Sequence, residues 1–216
     1  MQMLQTLRAN PRVAWIGTCI TGMISGVVSG YTLFDSVDLF SHKHLFWLEE
    51  MGRANFLQIL MPGLSLGIGL ALYFLLLGRA STLRAVLYAA AITFGYYIAA
   101  GTGYWWGWNM PYKWHWLPYL VGFSIFALAV AVASAALFQQ CRSARLFIGM
   151  VGTSVLSVTL IAELMSFVDN LVGLVERIGL NGVHILLFVF FSGPIAAVIG
   201  YGVFLVEPKG SKHKRA

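Results

Sequence analysis

All the charges of this chain but Glu163 lie outside six apolar runs, each roughly 20 residues long and each long enough to cross about 30 Å of hydrocarbon. Of the 216 residues, 59% are hydrophobic and 10% charged, against about 25% charged in an ordinary soluble domain. With so few charges, most of the surface must face lipid or another apolar subunit. The sequence therefore predicts a single all-α domain over 1–216, a polytopic membrane protein of six helices. The expected spans are about 13–34, 57–78, 85–105, 117–138, 146–167 and 183–206. The first run exceeds the roughly 7–15 apolar residues of a signal-peptide core and is read as a helix.

Between the third and fourth runs lies Tyr104–Trp116, YWWGWNMPYKWHW, with five of the seven tryptophans of the chain. Trp and Tyr gather where hydrocarbon meets water, because each ring has an apolar body and one polar group. Asn109, Met110 and Pro111 interrupt the helical pattern there, so the stretch reads as a turn at a membrane surface. Two longer connectors, Asp35–Phe56 and Val168–Gly182, are amphipathic and predict interfacial helices on that same side.

Orientation follows from the basic residues. With the N-terminus inside, the inner segments hold Arg8, Arg12, Arg79, Arg84, Arg142, Arg145, Lys209, Lys212, Lys214 and Arg215. The outer ones hold Lys43, Arg53, Lys113 and Arg177. Both termini are thus expected in the cytoplasm, and compact connectors with short tails point to a bacterial inner membrane. Asp35, Asp38, Glu49, Glu50, Asp169 and Glu176 fall on the outer side, as do most of the histidines. Cys19 lies in the first run and Cys141 in a basic inner loop, so no structural disulfide is expected.

Several groups carry possible chemistry. Gly22, Gly26 and Gly30 in the first span, and Gly63 and Gly67 in the second, follow four-residue spacing. Small residues so spaced let another helix approach closely, within the bundle or on a partner. Asp38 and His42, four apart, share a helical face suited to metal ligation, and His44 and the separate His115 extend the donor set. A divalent metal at the outer face is the cofactor such a set would hold; the plainer reading is an interfacial helix with solvated charges. Glu163 is the acid inside a span, near its outer end, and a charge there is a candidate for proton or cation coupling. Pro62 and Pro194 each remove a backbone hydrogen bond beside a glycine, as ordinary kinks or as breaks along a solute path.

No nucleotide-binding glycine loop, nucleophile elbow or zinc-protease motif occurs, and no span carries a central histidine for haem. The basic residues orient the protein rather than form a nucleic-acid surface. The leading expectation is a small-solute or cation permease or channel-like protein. The alternatives are a non-catalytic subunit of a larger membrane complex, or a metal-handling protein or metalloenzyme with an outer-face site. Expected partners are the lipid bilayer, further copies of the chain or other membrane subunits.

Overall fold

An Asn-Pro pair starts the first helix. Asn10 Oδ1 accepts the backbone N–H groups of Arg12 at 3.0 Å and Val13 at 3.4 Å. Pro11 takes the first helical position, where its missing N–H is not needed. In the computed structural model, which describes residues 10–41, 53–109, 116–168 and 173–206, this helix, α1, runs over Pro11–Ser41. It is followed by α2 (Arg53–Leu76), α3 (Thr82–Asn109) and α4 (Trp116–Leu137). A 3-10 turn (Gln139–Arg142) then leads to α5 (Ala144–Val168) and α6 (Gly173–Phe204). Among the described residues there is no strand.

Local chemistry fixes the tight turns. The C-terminus of α2 closes on Gly78, whose φ of 70° suits glycine. Gly78 N–H reaches Leu75 O at 3.0 Å and Arg79 N–H reaches Phe74 O at 2.8 Å, which satisfies the last carbonyls. In α4, Pro118 sits in the first turn, where a missing N–H costs nothing. After α4 the chain turns on Arg142, whose Nε donates to Ala135 O at 3.0 Å.

Four helices contain stretches long and apolar enough to cross a membrane: Pro11–Tyr31, Thr82–Ala100, Leu120–Leu137 and Ile185–Phe204. They fit an integral membrane protein. In α2 and α5 the corresponding described stretches, Leu60–Leu76 and Ala144–Ser157, are shorter. Large apolar side chains also cover the outside of the bundle, among them Ile24 on α1, Phe94 on α3 and Leu156 on α5, each about 60% exposed. A continuous apolar exterior of this kind suits lipid rather than water.

Consecutive helices pack antiparallel, and α1 closes against α6, so the six form a ring. The centre is filled by aromatic side chains in two tiers. Tyr96, Phe123, Phe126, Phe188 and Phe191 form one, with Phe126 and Phe191 stacked at 4.8 Å. Phe74, Tyr88, Phe138 and Phe204 form the other, with Phe74 edge-on to Phe138 at 4.8 Å. Tyr88 meets its one polar requirement through the Ser134 hydroxyl at 2.9 Å. Leu66, Leu70, Ile92, Val130, Ile195 and Ile199, all fully buried, complete the filling.

Two features differ from the sequence expectation, and a third, the burial of Cys141, lay outside it. The first connector begins as helix: α1 continues unbroken through Asp35 and Asp38 to Ser41, about 46 Å in all. No glycine or proline lies between Tyr31 and Ser41 to stop it, and the remainder, 42–52, lies outside the described residues. The second expected interfacial helix is not a separate element. Its later part, from Gly173, forms the first turns of the 32-residue α6, because Gly179 and Gly182 weaken a helix by only about 1 kcal/mol each. Residues 169–172 lie outside the described residues. Finally, Cys141 sits in a basic turn but is fully buried, its Sγ packed against Gly202 of α6. Both cysteines are free.

Candidate functional site

Helix α1 lies between the two proline-bearing helices, α2 and α6, and its two sides meet them differently. Toward α6 it offers backbone. A Cβ added to Gly22 would stand 2.5 Å from both the Ser192 carbonyl oxygen and the Ala196 Cβ. One added to Gly26 would stand 2.6 Å from Val189 Cα and 2.7 Å from the Phe188 carbonyl. These distances admit hydrogen and nothing larger, so the two backbones touch. At the end of this seam Trp15 Nε1 donates to Ala197 O at 2.8 Å. Gly30, one turn past Gly26, is buried.

Toward α2 the same helix offers hydroxyls. Ser25 Oγ donates to Ser65 O at 3.2 Å, and Ser65 Oγ stands 3.1 Å from Ser25 O. The Ser29 and Ser65 hydroxyls are 2.6 Å apart, and either can donate to the other. Ser29 Oγ is also 2.6 Å from Ser25 O and 3.5 Å from Pro62 O, while Ser65 Oγ is 3.2 Å from Pro62 O. Three hydroxyl protons thus serve several oxygen acceptors, and the Ser29–Ser65 link can run in either direction. Pro62 explains the position of this knot. Lacking an N–H and pressing its ring on the preceding turn, proline loosens the helix around it, and the Pro62 carbonyl itself takes part in the knot, 3.2 Å from Ser65 Oγ and 3.5 Å from Ser29 Oγ.

The glycines of α2 serve its other neighbour. An added Cβ at Gly63 would meet Tyr96 Cβ at 2.5 Å, and one at Gly67 would meet Ala89 O at 2.8 Å, both on α3. On α6, Pro194 follows Gly193, and an added Cβ there would meet the Met23 side chain of α1 at 3.2 Å. Pro62 and Pro194 therefore lie on the two flanks of α1 and not beside each other.

The acids and histidines of interest stand apart from this seam. Glu163 lies on α5 about 28 Å along the axis from Ala144, and Asp38 lies in the last turns of α1; both are placed by their backbone alone. His42, His44 and His115 lie outside the described residues. Among the described residues no group of three His, Cys, Asp or Glu side chains comes together. The seam is neutral and made of hydroxyl and carbonyl oxygens, so it can bind a polar group by hydrogen bonds but supplies no acid or nucleophile of unusual strength.

Sequence reasoning found the glycines and prolines but missed Ser65. Its signal was present: a serine three residues after Pro62, in a helix antiparallel to the one bearing Ser25 and Ser29. Comparison with known protein families, with curated proteins and with solved structures finds no match to this chain.

Proposed function

We propose that this protein is a six-span permease or channel-like protein for a small solute or cation, with both termini on the cytoplasmic side of a bacterial inner membrane. The observation that carries this reading is the placing of α1 between two helices that each carry an internal proline. A helix that meets one neighbour largely through bare backbone and the other through exchangeable hydroxyl bonds can shift at the expense of two specific bonds, Trp15 to Ala197 O and Tyr73 to Ala14 O. Pro62 and Pro194 supply the points about which its neighbours bend. The filled aromatic centre is then the closed condition of the path, which opens on the side of the ring formed by α1, α2, α5 and α6.

Glu163 is the coupling or coordinating acid. A carboxylate within a span costs at least about 2.5–3.5 kcal/mol on insertion scales, and a cation or proton taken up beside it offsets that cost. The reading of the chain as a passive subunit offers the glycine faces and the tryptophan belt of 104–116 as its contact surface, and the glycine half of that surface is used within the bundle. Gly22 and Gly26 are occupied by α6, and Gly63 and Gly67 by α3, which favours a self-contained transporter.

The test is ion flux in proteoliposomes loaded with a pH-sensitive or a sodium-sensitive dye. Protein-dependent flux of protons or sodium, lost in Glu163→Gln, is the expected result. Flux no greater than in empty liposomes, or unchanged by Glu163→Gln, would sink the proposal.

A further inference from the structure

We propose that the arginine-bearing end of the bundle is a binding surface for the headgroups of anionic phospholipids. The proposal rests on the helices crossing a membrane and is independent of the transport reading.

The fold brings five arginines to one end. Arg12 lies in the first turn of α1, Arg79 between α2 and α3, Arg84 in the first turn of α3, Arg142 in the 3-10 turn and Arg145 in the first turn of α5. Tyr73 near the end of α2 donates to Ala14 O of α1 at 2.8 Å. Phe204 at the end of α6 lies against Phe74 of α2, and Gly202 lies against Cys141. These contacts gather the start of α1 and the ends of α2, α4 and α6 at the same level. All five arginines are exposed. No Asp or Glu occurs in residues 10–34 or 51–162, so no carboxylate from the tight turns neutralises them.

Two of the five are held in place. The Arg79 guanidinium lies over the Phe204 ring at 5.2 Å, and Arg142 is tied through Nε to Ala135 O. Both groups are fixed at the rim without using the outer guanidinium nitrogens for these contacts. Arg84 and Arg145 make no hydrogen bond or ion pair among the described residues. Each stands one helical turn from a prominent apolar side chain: Leu87 follows Arg84 by three residues and is 60% exposed, and Ile148 follows Arg145 by three and is 69% exposed. Residues three apart share a helix face. A guanidinium above an exposed aliphatic side chain matches a phospholipid, with phosphate above and acyl chain below. The planar fork of arginine suits phosphate oxygens in a way a lysine ammonium does not, and these turns contain arginine alone.

The occupant is an anionic lipid rather than a zwitterionic one, because positive charge is in large excess on this side of the chain, where the ten Lys and Arg assigned to it face Glu207 alone. A basic residue near an anionic membrane surface strengthens association by about fivefold. Delipidated protein in detergent should be titrated with phosphatidylglycerol and, separately, with phosphatidylcholine, and the bound lipids counted by native mass spectrometry. Phosphatidylglycerol is expected to bind at least about fivefold more tightly. Arg84→Gln and Arg145→Gln are each expected to weaken it by about that factor, leaving phosphatidylcholine binding unchanged, and Arg84→Lys, which keeps the charge but not the fork, should fall between the unaltered protein and Arg84→Gln. Equal binding of the two lipids by the unaltered protein would overturn the proposal, whatever the variants do. So would undiminished phosphatidylglycerol binding in the Arg84→Gln, Arg145→Gln double variant, which would leave the arginines with an orienting role only. Glu163→Gln should leave lipid binding untouched, so failure of the transport reading would not be mistaken for failure of this one.

Discussion

Replacing Gly26 by alanine should force α1 and α6 apart. The new methyl would lie 2.6 Å from Val189 Cα and 2.7 Å from the Phe188 carbonyl carbon and oxygen. These are backbone atoms of a helix, so no rotamer change relieves the contact. Carbon atoms pack comfortably at about 3.5–4.0 Å, which asks for a local separation of about 1 Å. A gap of that size forfeits a quarter to a half of each atom pair's roughly 0.1–0.2 kcal/mol. Over a seam of on the order of 40 such pairs the loss is about 1.5–3 kcal/mol, similar to the 1–3 kcal/mol typical of overpacking. Alanine's better helix propensity returns at most about 1 kcal/mol, leaving a net destabilisation of roughly 0.5–3 kcal/mol. The matched control is Gly152→Ala in α5, where an added Cβ meets nothing within 4 Å and only the propensity gain should appear. Unfolding in mixed dodecyl maltoside and SDS micelles, followed by tryptophan fluorescence, compares the two. If Gly26→Ala proved as stable as Gly152→Ala, the close approach of α1 and α6 would be wrong.

Three further outcomes are expected. A double-mutant cycle on Ser29→Ala and Ser65→Ala should return a coupling of about 0.6 kcal/mol, the average for interhelical hydrogen bonds in a bilayer; additive effects would remove the hydroxyl pair as a link between α1 and α2. Gly78→Ala meets no steric contact, but its φ of 70° should cost about 1–2 kcal/mol, and a silent substitution in the same micelle assay would contradict the turn geometry. Burial pushes the Cys141 thiol up from the ordinary 9.0 to about 12. The folded chain therefore keeps this proton between pH 9 and 12 while the unfolded chain releases it, so stability should fall with rising pH across that window and not below it. Comparison with Cys141→Ala isolates this slope, and maleimide should label Cys141 only after unfolding.

The sequence made the helices legible wherever a local signal marks a boundary. Asn10-Pro11 begins α1 and Gly78 ends α2, both by chemistry that acts within five residues. The extension of α1 to Ser41 was harder to read because polarity alone was taken as an end. Asp35 and Asp38 change what surrounds a helix without stopping it. Which face of each helix points inward was not legible either. In water an apolar stripe marks the core, but here the lipid side is equally apolar: Phe94 faces outward and Tyr96, two residues on, lies in the aromatic centre. The glycine spacing announced close contacts, yet nothing local says that Gly22 and Gly26 meet α6 while Gly63 and Gly67 meet α3. That choice is made by the ring as a whole. Ser65 went unnoticed for the same reason, since its partners lie 36 and 40 residues earlier.

Closure of α1 against α6 also sets an order of events during synthesis. The bond from Trp15 to Ala197 joins residues 182 apart, so the first helix to enter the bilayer cannot meet its main partner until the last one emerges. At roughly 5–20 residues per second, that wait is on the order of ten to thirty seconds. Throughout it the growing bundle, from one helix up to five, stays open along one edge, with the Gly22 and Gly26 backbone bared to lipid. A ribosome stalled before α6 would leave a chain already inserted yet still adhesive along one edge, a natural substrate for membrane quality control.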